Sequence, residues 1–396
     1  MTIRMLAAGC AAVAMMAAAG SASAQSKFSL EIGGDAWTTA GWVDQSNDVD
    51  QRAVEFINRF RLMITPTAKA DNGLEYGARV RLRANRGTAQ ADTDRAFVFM
   101  QGKFGRIEAG QVDGPNGQYY VTHPTDAGTG GVDGDFSYFM PYTTVQTNFG
   151  WNTVSGDAGP FGSATSTKIN YFTPRFFGTD DETGLMGMVS YAPNVEELAT
   201  GQNTTVDRNN RTLLAAGSAA PEFNGNGNDT FEIGLRYDGK YANDLTLGAG
   251  LFYIGGSKKD VAVTGGATTR YENLSAWQTG LQLGYKGFKV GGGFLWAGDS
   301  AYQKNSGAED QFAWTLGAQY EFDKFIVGAN YMKAEDAGTL ATAGARKQNV
   351  FAVGATYLVA PGLDVALEYI HNEINNETGI ADIDGDAVLL RTQVKF

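Results

Sequence analysis

One cysteine, Cys10, and two histidines, His123 and His371, are all the thiol and imidazole that this 396-residue chain contains. A disulfide framework and a thiolate metal cluster are excluded at once. No G-x-S-x-G is present and no serine lies beside either histidine, so nucleophilic hydrolysis has no motif to rest on. Proline is scarce, nine residues, which separates the chain from Pro- and Gly-rich disordered compositions. After residue 24 no apolar run approaches the roughly 20 residues that a membrane-spanning helix needs. A net charge of −12 argues against nucleic acid as a partner.

The first 24 residues read as a secretory signal. Arg4 is their one basic residue, an apolar stretch runs from Met5 to Ala19, and Ala22-Ser23-Ala24 supplies the small residues of a cleavage site. Cleavage there would leave residues 25–396, free of cysteine and one charge more negative, since Arg4 departs with the signal.

What the chain has in quantity is glycine, 52 residues, and aromatic residues, 12%, within a 43% hydrophobic composition. That is an all-β composition. Its apolar residues recur at every second position. "FSLEIGGDAW" alternates Phe28, Leu30 and Ile32 with Ser29, Glu31 and Gly33; "AVLLRTQVKF" sets Val388, Leu390, Thr392, Val394 and Phe396 on one face. Strands are expected near 27–42, 53–67, 73–85, 94–103, 104–112, 166–173, 183–192 and 230–239. A second set follows near 244–256, 274–286, 287–297, 311–321, 324–334, 348–358, 363–373 and 385–396, sixteen in all.

The links between these strands sort into two kinds. Tight ones ("GKFG", 102–105; "YKGF", 285–288; "EFDK", 321–324; "VAPG", 359–362) alternate with long polar ones at 193–229, 255–273, 298–310, 335–347 and 374–384. Hairpins whose two ends face different surroundings define an outer-membrane barrel, with short turns on one side and long loops on the other. Tyr237, Tyr241, Tyr285, Phe288, Tyr320, Phe322, Phe325 and Tyr357 gather beside the tight turns, as an interfacial girdle requires. Closure removes the sheet edge that lipid cannot tolerate.

Orientation follows from the arginines. "GARVRLRANRG" spaces Arg79, Arg81 and Arg83 around Val80 and Leu82, and "FINRFRLMITP" places Arg59 and Arg61 opposite in sense to Phe56, Leu62 and Ile64. One arginine at the bilayer midplane costs ~2–4 kcal/mol, so this face must line a water-filled interior. Pairing the two strands across a turn near residue 69 sets Arg59 opposite Arg79 and Glu55 near Arg83. Inward glycines (Gly248, Gly250, Gly280, Gly284, Gly291, Gly293) imply open space.

From about residue 25 to 396 the chain resembles the trimeric general porins of Gram-negative outer membranes. The likeness rests on the terminal strand ending at Phe396, on "FVFMQGKFGRIEAGQVDGP" (97–115) and on "STKINYFTPRFFG" (166–178). It implies a 16-stranded antiparallel transmembrane barrel whose third external loop, 113–165, folds into the lumen. It further implies a homotrimer, Phe396 as a signal to the barrel-assembly machinery, and an outer-membrane setting among lipid and lipopolysaccharide. The implied function is passive diffusion of ions and small hydrophilic solutes, without catalysis. Where the family often carries a basic residue after the glycine ending the fifth strand, this chain has Gln111.

The expected constriction has two walls. Arg59, Arg61, Arg79, Arg81 and Arg83 form the basic one; Asp113, Asp126, Asp133 and Asp135 of the loop form the acidic one, with Asp157 further on. The loop has no lysine or arginine between Asp113 and Thr165. Opposed charged walls would set a transverse field that sorts solutes. The acidic balance of the chain predicts a weak preference for cations. A substrate-specific channel is the alternative, and a structural or enzymatic barrel a more distant one. "IADIDGDAV" spaces Asp382, Asp384 and Asp386 around Gly385, where a structural calcium could bind; no other cofactor is expected.

Overall fold

The structure is a computed structural model that describes residues 27–46, 48, 50–85, 92–140, 166–178, 180, 182–195, 211–223, 227–340, 344–376, 379 and 381–396. The expected signal and residues 141–165 of the expected loop lie outside them. In chain order the strands are β1 (Ser29–Gln45), β2 (Val54–Lys69), β3 (Glu75–Asn85), β4 (Asp92–Gly102), β5 (Gly105–Gln111), β6 (Thr167–Phe172) and β7 (Gly184–Asn194). Next come β8 (Arg211–Leu214), β9 (Gly227–Tyr241), β10 (Leu245–Lys258), β11 (Asp260–Val263), β12 (Thr268–Thr269) and β13 (Leu274–Tyr285). The series ends with β14 (Phe288–Gly298), β15 (Gln311–Phe322), β16 (Phe325–Asp336), β17 (Arg346–Ala360), β18 (Leu363–Asn375) and β19 (Ile383–Lys395).

Sixteen of these strands close a barrel in which chain neighbours are sheet neighbours, and β1 seals the ring against β19. The other three, β8, β11 and β12, form a small sheet within the long links. All sixteen strands expected from the alternation are present, with no boundary more than three residues away. Period two explains why: a slip of one residue would exchange the two faces of a strand, so the apolar pattern fixes each register.

The outer face is apolar and ringed twice by aromatics. On the turn side Phe288 stacks on Tyr320 at 4.1 Å, Tyr320 lies 5.5 Å from Phe322, Phe322 5.8 Å from Phe325, and Phe325 4.9 Å from Tyr357. A second belt, unforeseen in the sequence, runs near the long loops: Phe231, Tyr253 and Trp277 at 5.7 and 4.8 Å, then Trp314 and Tyr331 at 5.3 Å. Trp277 and Tyr285 are eight residues apart on β13, which at ~3.3 Å per residue and a tilt of ~40° is about 20 Å of height. That matches an outward band made to meet hydrocarbon.

The inner face is less open than its glycines implied. Much of it is packed: Val132, Phe136, Phe139 and Met140 of the segment after β5 are buried against Trp37, Ile57, Met332, Val350, Ile370 and Leu389 of the wall. Of the six inward glycines, Gly250, Gly280, Gly291 and Gly293 mark the track of this segment and not open space, while Gly248 and Gly284 face side chains of the wall. A Cβ at Gly280 would overlap the Val121 carbonyl, and one at Gly250, Gly291, Gly317 or Gly354 would crowd Val121, Thr122, His123 or Gly128.

Candidate functional site

The described residues after β5, up to residue 140, lie along the inner face, and many of their contacts there are made through the backbone. They begin with a short helix, α1 (Pro115–Tyr119), which β9 grips at both ends. The buried Glu232 carboxylate accepts from the Asn116 N–H at 2.9 Å, and Arg236 donates to the Tyr119 and Tyr120 carbonyls at 3.2 Å each. A negative group on helix donors and a positive one on its last carbonyls match the dipole. Further along, Glu368 of β18, 1% exposed, accepts from the Gly131 N–H at 2.9 Å, the Thr129 N–H at 3.1 Å and the Thr129 hydroxyl. Arg391 of β19 donates to the Thr129 carbonyl at 3.0 Å. Between these clamps the Thr122 and Thr315 hydroxyls meet at 2.6 Å, and Asn330 accepts from the Val132 N–H at 2.8 Å.

All five expected arginines fall together on the inner face of β2 and β3, but their pairing differs from expectation. The turn centres on 71–73, not 69, so Arg59 stands opposite Asn85 and Arg61 opposite Arg83; Glu55 lies across from Gly41 and pairs with Arg52. The wall also supplies its own counter-ions. Asp35 binds Arg61 at 2.7 Å and Arg59 at 3.2 Å. Asp94 accepts from Nε and Nη2 of Arg81, both at 2.7 Å, with Arg83 at 3.8 Å and Arg95 at 3.9 Å. A bulge in β4 between the partners of Arg81 and Leu82 turns both Asp94 and Arg95 inward, a re-aiming that sequence alternation alone does not reveal. Arg79 donates to the Thr65 hydroxyl, at 3.1 Å. Trp37 lies between Arg59 and Arg391, whose guanidinium carbons stand 4.9 and 4.4 Å from its ring centre.

Asp113 and Asp126 are each taken up by a nearby cation. Asp113 binds Arg95 at 2.6 Å, on the arginine side of the lumen. Asp126 binds Lys289 at 2.9 Å and Gln319 at 2.8 Å, over β14 and β15. Burial pushes the Asp126 carboxyl up, but its bonds to Lys289 and Gln319 outweigh this and hold it below the ordinary value. Asp133 and Asp135 fall on two 3-10 turns, and their side chains, like Asp157, lie outside the described residues. The group that reaches the arginines is Tyr138, half exposed, with its hydroxyl 3.4 Å from Arg83. His123 is 2% exposed; burial pushes its pKa down to about 4.

Phe396 exchanges backbone bonds with Gly34 at 2.7 and 3.0 Å, and its ring lies 5.9 Å from Phe60. The three aspartates near the C-terminus do not converge. Asp382 accepts from the Asn376 N–H at 2.8 Å, the Asp384 N–H donates to the Ser46 hydroxyl at 3.0 Å, and Asp386 takes the Tyr369 hydroxyl at 2.6 Å and His371 at 3.0 Å. Among the described residues no three His, Asp or Glu side chains gather as a metal would need.

A closed 16-stranded barrel with a belted apolar exterior and a charged, partly obstructed interior is a transmembrane channel of the outer-membrane type. The sequence profile of the Gram-negative porins matches residues 11–377, and the chain belongs to that family. It is therefore an outer-membrane channel for the passive diffusion of solutes. Solved porins and other outer membrane proteins share the fold at low identity. An anion-selective porin from Comamonas acidovorans is 13% identical with a TM-score of 0.60, the match covering 93% of this chain and 100% of that one. The trimer form of OmpT, an outer membrane protein of Vibrio cholerae, is 12% identical (TM-score 0.58; 93% and 99%). A mutant of the Rh. blastica porin is 14% identical (TM-score 0.55; 93% and 100%). No curated protein sequence matches the chain.

Proposed function

We propose that this porin is a general diffusion channel for small hydrophilic solutes whose narrow part favours anions. One observation carries the sign. Among the described residues, on and beside the inner face of β1–β4, Arg59, Arg61, Arg81, Arg83 and Arg95 meet three aspartates, Asp35, Asp94 and Asp113, and Arg79 meets the Thr65 hydroxyl. A fixed positive excess at a constriction concentrates anions there. This reading differs from the weak cation preference expected from net charge, a whole-chain quantity that also counts carboxylates outside β1–β4, such as Asp260, Glu272 and Asp299. The Comamonas relative is titled anion-selective, which agrees. The test is a reversal potential across a planar bilayer in a KCl gradient. The anion sign is expected, moved toward zero in Arg79→Gln; a cation sign in the parent protein would overturn the reading.

The segment 113–140 would narrow the lumen, with Tyr138 facing the arginines. The working unit would be a homotrimer joined through the outer wall of β1–β5. There the outward positions include Ala36, Ala40, Ala78, Ala96 and Ala109, beside a depression of about 460 Å³. Small residues suit contact with a second rigid wall, while the belts of β9–β18 suit lipid, and OmpT is known in a trimer form. Phe396 would be the assembly signal read by the barrel-assembly machinery, and lipopolysaccharide would surround the loop-side belt. A channel role without catalysis fits His123 buried between the segment that carries it and the wall, and His371 tied to Asp386.

A further inference from the structure

Phe177 is 91% exposed, and its backbone is left-handed at φ 62°. Neither state is expected of a phenylalanine in a short link. Left-handed backbone crowds any Cβ, and a bare ring in water forfeits its hydrophobic gain. Its neighbour Phe176 extends the β6–β7 hairpin by exchanging backbone bonds with Leu185 at 2.9 and 2.8 Å. Leu185 stands across from Tyr237, whose hydroxyl lies 2.7 Å from that of Tyr241 in the turn-side belt. Phe176 is thus level with that belt. In extended chain Phe177 would point to the opposite side. Its left-handed turn instead brings the two rings to 6.5 Å, both exposed.

We propose that Phe176 and Phe177 form an interfacial anchor that seats among the phospholipid headgroups of the turn-side leaflet and carries the aromatic belt across β6 and β7. Aromatic rings are favoured at that depth, and a lipid partner accounts for exposure and backbone strain together. Glu182 nearby, with a side chain 78% exposed and bound to Lys240 at 2.6 Å, marks the water side of the link. The inference rests on the barrel being membrane-embedded.

Residues 25–396 contain no cysteine, so single nitroxide labels can be placed at Phe177→Cys, at Phe288→Cys in the belt and at Glu182→Cys in water. In phosphatidylcholine–phosphatidylglycerol vesicles, collisions with an aqueous nickel chelate are compared with those of oxygen. The label at 177 is expected to be several-fold less open to nickel than that at 182, while remaining open to oxygen. Equal nickel access at 177 and 182, with 288 shielded, would overturn the anchor. So would a label at 177 closed to both reagents, which would mean a protein partner. Full nickel access at 288 would instead sink the membrane reading beneath it. Phe176→Cys repeats the test at the paired ring.

Discussion

Gly280 sets how closely the inner segment can lie against the wall, because its missing side chain leaves room for the Val121 carbonyl. Gly280→Leu is expected to push the segment into the lumen and lower single-channel conductance, while far-ultraviolet circular dichroism of the barrel stays unchanged. Unaltered conductance would mean that the segment does not narrow the path. His123 makes the same seat sensitive to acid. Its pKa falls from 6.5 to about 4 on burial, so the neutral ring stabilises the seat fully above pH 6.5. Between pH 6.5 and 4 the released state takes up the proton first and that stability is lost, of order 3 kcal/mol in all. Asp126, held below 3.8, adds its own loss at still lower pH, as its folded value is crossed. Open-channel noise should therefore rise from pH 6.5 downward. His123→Gln should remove that rise and leave only the change below pH 4.

At the scale of elements, each clamp pairs a buried carboxylate on backbone donors with an arginine on backbone carbonyls: Glu232 with Arg236, and Glu368 with Arg391. Glu368→Gln keeps the shape but weakens acceptance from Thr129 and Gly131, a loss of about 1–3 kcal/mol at a buried site. The voltage at which the channel closes is expected to fall in this variant, with strand content intact. The strands were legible in the sequence because alternation is local and each face has one environment. The clamps were not, since a glutamate on an inward parity gives no sign of whether it meets water or a backbone N–H. The apolar seat did leave a trace: Val132, Phe136, Phe139 and Met140 fall at helical spacing inside a polar loop. The turn at 71–73 could not be placed to the residue, and that alone misaligned Arg59 with Arg79.

For the whole molecule, one face of the sheet meets lipid and the other carries the solute path, and the second fact is what makes a porin. The belts, about 20 Å apart, set the part that spans the membrane. On the proposed reading, net charge, the whole-chain quantity most easily read from sequence, is a poor guide to the path, because it does not register that six arginines gather on and beside the inner face of β1–β4. The most direct test of the account is single-channel recording of the purified protein in a planar bilayer, with neutral sugars added in turn. Stepwise conductance that closes in three levels under voltage, without saturation or block by any sugar, is the predicted result. Absence of conductance in protein that has folded and inserted would contradict the open path itself.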